Sequence, residues 1–167
     1  MIAQAAISIP STPDLGKAEG ACRPQEPGPA FLVHVHGLKD HAGRLKLEVY
    51  PPTDGDFLAD DNILVSEHKV FRRVEVPTPA SVDPVLCIRV PAPGAYALTL
   101  LHDRDSNRKF SLSIDGIGFS ANPRLGWSKP RAATVRVEAG AGLTPITIVL
   151  NYRRGLFGFA PLEGSGQ

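Results

Sequence analysis

The residues best suited to chemistry lie together in His102-Asp103-Arg104-Asp105-Ser106-Asn107, where side-chain oxygens recur at alternate positions. A turning backbone points every second side chain inward, so Asp103, Asp105 and Asn107 take the first, third and fifth places of a calcium loop. The EF-hand pattern then fails. Arg108 stands where a sharp turn needs Gly, and Ile114 where a bidentate Glu would close the shell. A looser calcium site remains as an expectation, built on Asp103, Asp105 and Asn107 and completed by Asp115, Ser111 or the Lys109 carbonyl. Arg104, Arg108 and Lys109 oppose a cation there. The simpler reading is a polar loop whose Asp and Asn side chains bond their own backbone.

Other constellations are weaker. His34 and His36 share one face of a strand, and with His102 or His68 they would begin a zinc or copper site. Two histidines do not define such a site, and solvated rings on an edge strand are the plainer expectation. His102 and Asp103 with Ser106, Ser111 or Ser120 invite a catalytic triad, but no Gly-x-Ser-x-Gly elbow or oxyanion loop accompanies them. His102 is better suited to ending its strand and hydrogen-bonding the loop. Asp54, Asp56, Asp60 and Asp61 read as a solvated acidic loop, and no phosphate-cradling glycine loop occurs. Phe119 and the sole Trp127 lie in a long irregular stretch, where exposed aromatics would carry binding energy.

The elements that must position these residues read as strands. Phe31–His36 and Arg44–Tyr50 form a hairpin; in the second, Leu45, Leu47 and Val49 alternate with Arg44, Lys46, Glu48 and Tyr50, giving one wet face. Further strands are expected at Val70–Val76, Val85–Val90, Ala95–Leu101, Phe110–Ile114, Ala132–Glu138 and Pro145–Tyr152. Pro93-Gly94 supplies the turn into the strand that ends at the acceptor loop. With 16 Gly and 16 Pro, no internal repeat and no helical period, the pattern indicates an all-β protein. The expectation is a single antiparallel β-sandwich of about seven strands, Greek-key, transthyretin- or immunoglobulin-like. Residues 1–29 hold five prolines and read as a flexible leader, 30–153 as the sandwich, and 154–167 as a tail in which Leu156, Phe157 and Phe159 dock on it.

The stretch from Pro93 to Asn122 resembles a bacterial family catalogued as domain of unknown function 2141. The resemblance is carried by Pro93, Gly94, Tyr96, Ala97, His102, Asp103, Asp105, Asn107, Lys109, Gly118, Phe119, Ser120 and Asn122. The chain departs from the family signature at Arg108, in place of Gly, and at Ser111, in place of Asp, and its segment before Gly118 is shorter. The resemblance implies a small exported sandwich of the transthyretin-like kind and brings no activity with it.

Composition excludes some functions. Lys plus Arg is 18 and Asp plus Glu 17, so the chain is near neutral, which argues against a nucleic-acid binder with its basic stripe. Arg72-Arg73 and Arg153-Arg154 read as solvated faces, and no apolar run is long enough to span a bilayer. Met1-Ile2-Ala3-Gln4-Ala5-Ala6 fits either the end of a signal peptide or the start of a cytoplasmic chain; the family resemblance favours a periplasmic or secreted protein. Cys22 and Cys87 are an even count that permits one disulfide, worth about 4 kcal/mol in the chain-entropy model. Two functions follow. One is a non-catalytic module binding a ligand, glycan or protein through His102, Asp103, Asp105, Asn107, Phe119 and Trp127. The other is a metal-handling protein or enzyme built on His102, Asp103 and Asp105. The first is favoured, with no cofactor unless calcium occupies the loop.

Overall fold

The computed structural model describes residues 9–156 and 158–162. Two packed sheets form a β-sandwich, with ten strands and three short helices among the described residues. The smaller sheet places β1 (Ala30–His36) between β4 (Val85–Arg89) and β8 (Leu143–Val149). The larger runs β10 (Phe159–Pro161), β9 (Asn151–Arg153), β6 (Gly116–Phe119), β5 (Gly94–Asp103), β2 (Arg44–Tyr50) and β3 (Arg72–Pro77). Short β7 (Arg136–Ala139) pairs with the first half of β5, and β6 pairs with the second half. Two pairings depart from expectation. Strands β1 and β2 lie in different sheets instead of forming a hairpin. Strands β1 and β8 run parallel, because the chain enters both at the same end, Ala30 opposite Leu143, and leaves β8 through Leu150 into β9 of the other sheet.

Between the sheets, Phe31, Val33, Val35, Leu45, Leu47, Val49, Leu86, Ile88, Leu98, Leu100 and Ile148 build the main core. Their period of two is the sequence alternation made physical. The larger sheet carries a second core on its outer face, where Tyr50, Ala97 and Phe119 meet Phe57, Leu64, Phe71 and Val135. Its cover is the loop from Pro51 with α2 (Asp61–Ser66), and α3 (Ala132–Val135). The face of β2 expected to be wet is therefore buried at Glu48 and Tyr50. Residues 63–65 are helical, and the strand expected at Ala132–Glu138 opens as α3 before becoming β7. Both helices are too short to show a 3.6-residue period in the sequence. No strand forms at Phe110–Ile114; that pairing falls to Gly116–Phe119.

The structure also differs at the N-terminal stretch read as a flexible leader. Residues 1–8 lie outside the described residues, but from Ile9 onward the segment is tied to the sandwich. Cys22 and Cys87 form a disulfide, α1 (Lys17–Gly20) packs on β3, and Ser11 Oγ donates to Asp61 Oδ1 at 2.6 Å. These attachments use single residues rather than an apolar face, so hydropathy patterning gives no sign of them. In the tail, Phe159 stacks obliquely on Phe110 at 5.7 Å, Leu156 is exposed, and Phe157 lies outside the described residues.

Arg73 fastens this outer layer. It is buried, contrary to the solvated face expected of Arg72-Arg73. Nε donates to Glu48 Oε1 at 2.9 Å, Nη2 to Asp61 Oδ2 at 3.0 Å, and Nη1 to the carbonyls of Thr12 and Pro13 at 3.0 and 3.1 Å. Tyr50 completes the network by donating to Glu48 Oε2 at 2.6 Å. The planar fork lets one cation serve β2, α2 and the N-terminal segment at once. Truncating it strands two carboxylates beneath the layer. Arg73→Met should lower unfolding stability by about 3–5 kcal/mol, with Arg73→Lys in between. Urea titration of the three proteins checks this; a loss of a few tenths for Arg73→Met would contradict the account.

Candidate functional site

The end of β5 brings together most residues named for chemistry, and it turns them inward. His102 is in phase with Leu98 and Leu100, so its ring lies at the end of the inter-sheet core and is wholly buried. Nε2 faces the Ala42 carbonyl at 2.8 Å and must therefore donate. Nδ1 then carries the lone pair and accepts from the Tyr152 hydroxyl at 2.7 Å, while that hydroxyl accepts from Lys39 N at 3.1 Å. These partners hold the ring as the neutral Nε2–H tautomer. Burial lowers the His102 pKa below its ordinary 6.5, although Ala42 and Asp40 pull the other way. Burial likewise raises Tyr152 to about 12.

Two close approaches make this arrangement possible. Gly43 has φ +68°, and a Cβ there would stand 2.0 Å from the Asp103 carbonyl oxygen. At Gly116 a Cβ would stand 2.4 Å from the Tyr152 ring. Both positions exclude larger residues for steric reasons.

Asp103 and Asp115 are buried beside His102, and Asp105 is exposed, with one ligand oxygen from each within 4.8 Å of the others. The buried pair is already served by the backbone. Asp103 accepts from Arg108 N at 2.7 Å and Asn107 N at 3.2 Å; Asp115 accepts from Ser111 N at 2.8 Å and Arg104 N at 2.9 Å. Asn107 turns to Asp105 Oδ2 and Ser111 Oγ and accepts from Lys109 N. Burial, helped by the Asp105 and Asp115 carboxyls, pushes the Asp103 pKa above its ordinary value. Arg104 pairs with Asp40, whose pKa is lowered chiefly by that hydrogen bond. Asp103, Asp105 and Asp115 thus converge as a three-carboxylate set could for calcium, but Asp103 and Asp115 also serve as the fold's own turn-closing acceptors.

The remaining motif residues join layers. Ser120 Oγ accepts from Leu98 N at 2.9 Å and donates to the Val135 carbonyl. The Asn122 side chain accepts from Val149 N at 2.8 Å and donates to the Thr147 carbonyl at 2.9 Å, standing in for a neighbouring strand on the open edge of β8. Phe119, expected on the surface, is in the outer core, edge-on to Phe57 at 6.1 Å. His34 and His36 point outward from β1, which is the central strand of its sheet rather than an edge. They form no metal cluster with His102 or His68 among the described residues. In the acidic loop, Asp54 accepts from Ala132 N, Asp56 pairs with Lys69, and Asp61 with Arg73; none of these three is merely solvated.

Trp127 does lie on the surface, with 78 % of its area exposed. It borders two adjoining hollows of about 190 and 220 Å³, which share Leu112, Leu125 and Phe159. Phe119 and Ile117 line the second, with Phe110 and Leu58; Arg153 and Leu156 line the first. Sequence reasoning missed Leu112 and Leu125 because each is a lone apolar residue in an irregular loop. Tyr152 was legible only as a strand residue.

The neutral His102 gives stability a pH dependence of definite sign. The unfolded ring takes a proton near pH 6.5, whereas the folded one resists it until lower pH. The unfolded state therefore binds more protons in that window, and stability falls as pH drops below about 6.5. His102→Gln should flatten the fall; urea titrations across neutral to mildly acidic pH measure it, and identical slopes would contradict the assignment.

No curated protein and no solved structure matches the chain. A family model described as "Uncharacterized protein conserved in bacteria (DUF2141)" matches residues 33–147, which span both sheets and the whole of the His102–Asn122 region. The chain belongs to that bacterial family, domain of unknown function 2141.

Proposed function

We propose that this protein is a non-catalytic, extracytoplasmic sandwich module that binds a ligand or partner through the groove around Trp127. The observation that carries this reading is the exposed aromatic and aliphatic surface formed by Trp127, Leu112 and Phe110 over the half-buried Phe159, which the sandwich core does not need. Contiguous exposed apolar patches around a hollow mark interaction sites, unlike apolar side chains scattered singly over a surface. The absence of catalysis is supported by how the polar groups are used: His102, Asp103, Asp115, Ser120 and Asn122 each hold backbone partners, leaving no nucleophile–base pair facing solvent among them. The Cys22–Cys87 disulfide supports an oxidising compartment, periplasmic or secreted.

The probe for the groove is 1-anilinonaphthalene-8-sulfonate, an anionic aromatic dye. Trp127 is the sole tryptophan, so energy transfer from it to the dye reports binding within the groove's neighbourhood. The folded protein should bind the dye with transfer, and Leu112→Ser should weaken it without moving the thermal midpoint. No dye binding by the folded chain would overturn the groove as a ligand site.

A second reading places calcium at Asp103, Asp105 and Asp115, supported by the convergence of their carboxylates within 4.8 Å. The raised Asp103 pKa reflects burial and neighbouring carboxyls that a cation would relieve. Calcium should then raise the thermal midpoint, as any ligand of the native state does. Asp105→Ala, at an exposed position bonded to Asn107, should abolish the rise; an unchanged midpoint with calcium would dismiss the ion.

A further inference from the structure

We propose that the Trp127 face docks on the surface of an anionic lipid bilayer. The proposal rests on the reading of the groove as a binding surface and names what covers it. Trp127 and Leu156 are 78 % and 72 % exposed and sit on separate loops, yet both border one hollow. Both help line that hollow, yet most of each side chain stays open to solvent, as interfacial side chains do. The indole joins a large apolar body to an N–H and favours the headgroup boundary.

Charge complementarity selects the partner. Of the chain's 18 Lys and Arg and 17 Asp and Glu, residues 116–162 hold six of the first and one of the second. That one acid, Glu138, pairs with Arg136. The segments that build the groove thus bring Arg124, Lys129, Arg131 and Arg153, although the whole chain is near neutral. Lys129 lines one hollow and Arg153 the other, and both donate to carbonyls: those of Asp54 and Phe57 for Lys129, and that of Gly155 for Arg153. The acidic loop borders the Leu58 side, where Asp56 is neutralised by Lys69 and Asp54 is held by Ala132 N. A neutral glycan would not use this excess of cations, and a single amphiphile held in the hollows would not use the exposed area of Trp127 and Leu156 outside them. A negatively charged membrane surface uses both: cations attract from a Debye length away, and the apolar ends enter the interface.

The test is sedimentation of the full chain with vesicles of phosphatidylcholine alone and of phosphatidylcholine containing one-third phosphatidylglycerol. Partition is expected only into the anionic vesicles, with a blue shift of Trp127 emission, and salt should reverse it. Each cation removed should lower partition by about five-fold, so Arg124→Gln with Arg131→Gln lowers it by about 25-fold. Trp127→Ala with Leu156→Ala should lower it by about ten-fold or more. All four side chains are exposed, and an unchanged thermal midpoint verifies that these variants fold. Failure to bind anionic vesicles, or equal binding by the charge variant, overturns the proposal. Dye binding at the groove without vesicle binding would leave the groove reading standing and remove the membrane. Loss of both would remove both. Binding of poly-glutamate in place of vesicles would assign the face to an acidic protein.

Discussion

Strand β5 is buried on both faces from Tyr96 to Asp103, and the rest of the molecule answers to that constraint. A two-layer sandwich covers only one face of each sheet. The inner face of β5 meets β1 and β8 through Leu98 and Leu100, but Ala97 and its neighbours face outward and need a second cover. Phe57, Leu64 and Phe71 supply it from loop and helix, and Arg73 anchors that cover with bonds to β2, α2 and the N-terminal segment. Because the cover is irregular, its backbone and charges must be satisfied one by one. Among the described residues no buried side-chain nitrogen or oxygen is left without a partner.

The same economy explains the cluster at the end of β5. A histidine in phase with two core leucines cannot meet water, so both ring nitrogens must be paired inside. Asp103 and Asp115 then close the turns that follow, accepting backbone N–H groups that a short, tight loop cannot pair by itself. Ser120 and Asn122 perform related tasks between sheet and cover and at the edge of β8. Residue types that suit a metal or a triad serve here to satisfy backbone, and the carboxylate convergence is the part of that cluster open to a second use.

What the fold leaves over is more informative about function than what it uses. Trp127 and Leu156 contribute little to either core, and residues 116–162 carry more cations than acids. Exposed apolar area and segregated charge on the same loops are what set the proposed binding face apart from an ordinary surface.

The sequence by itself determined the all-β class, the main core and the family, because a period of two in Leu45, Leu47, Val49 and in Leu86, Ile88, Val90 survives any placement of the strands. It also marked the His102–Asn107 loop as acceptor-rich and Trp127 as a surface aromatic. Only the tertiary structure decided the direction these groups face. Burial of Glu48, Phe119 and Arg73 depends on a cover made from sequence-distant loops, and the parallel β1–β8 pairing depends on where the chain re-enters the sheet. Those are long-range contacts with no local period, so nothing in the residues beside them announces the outcome.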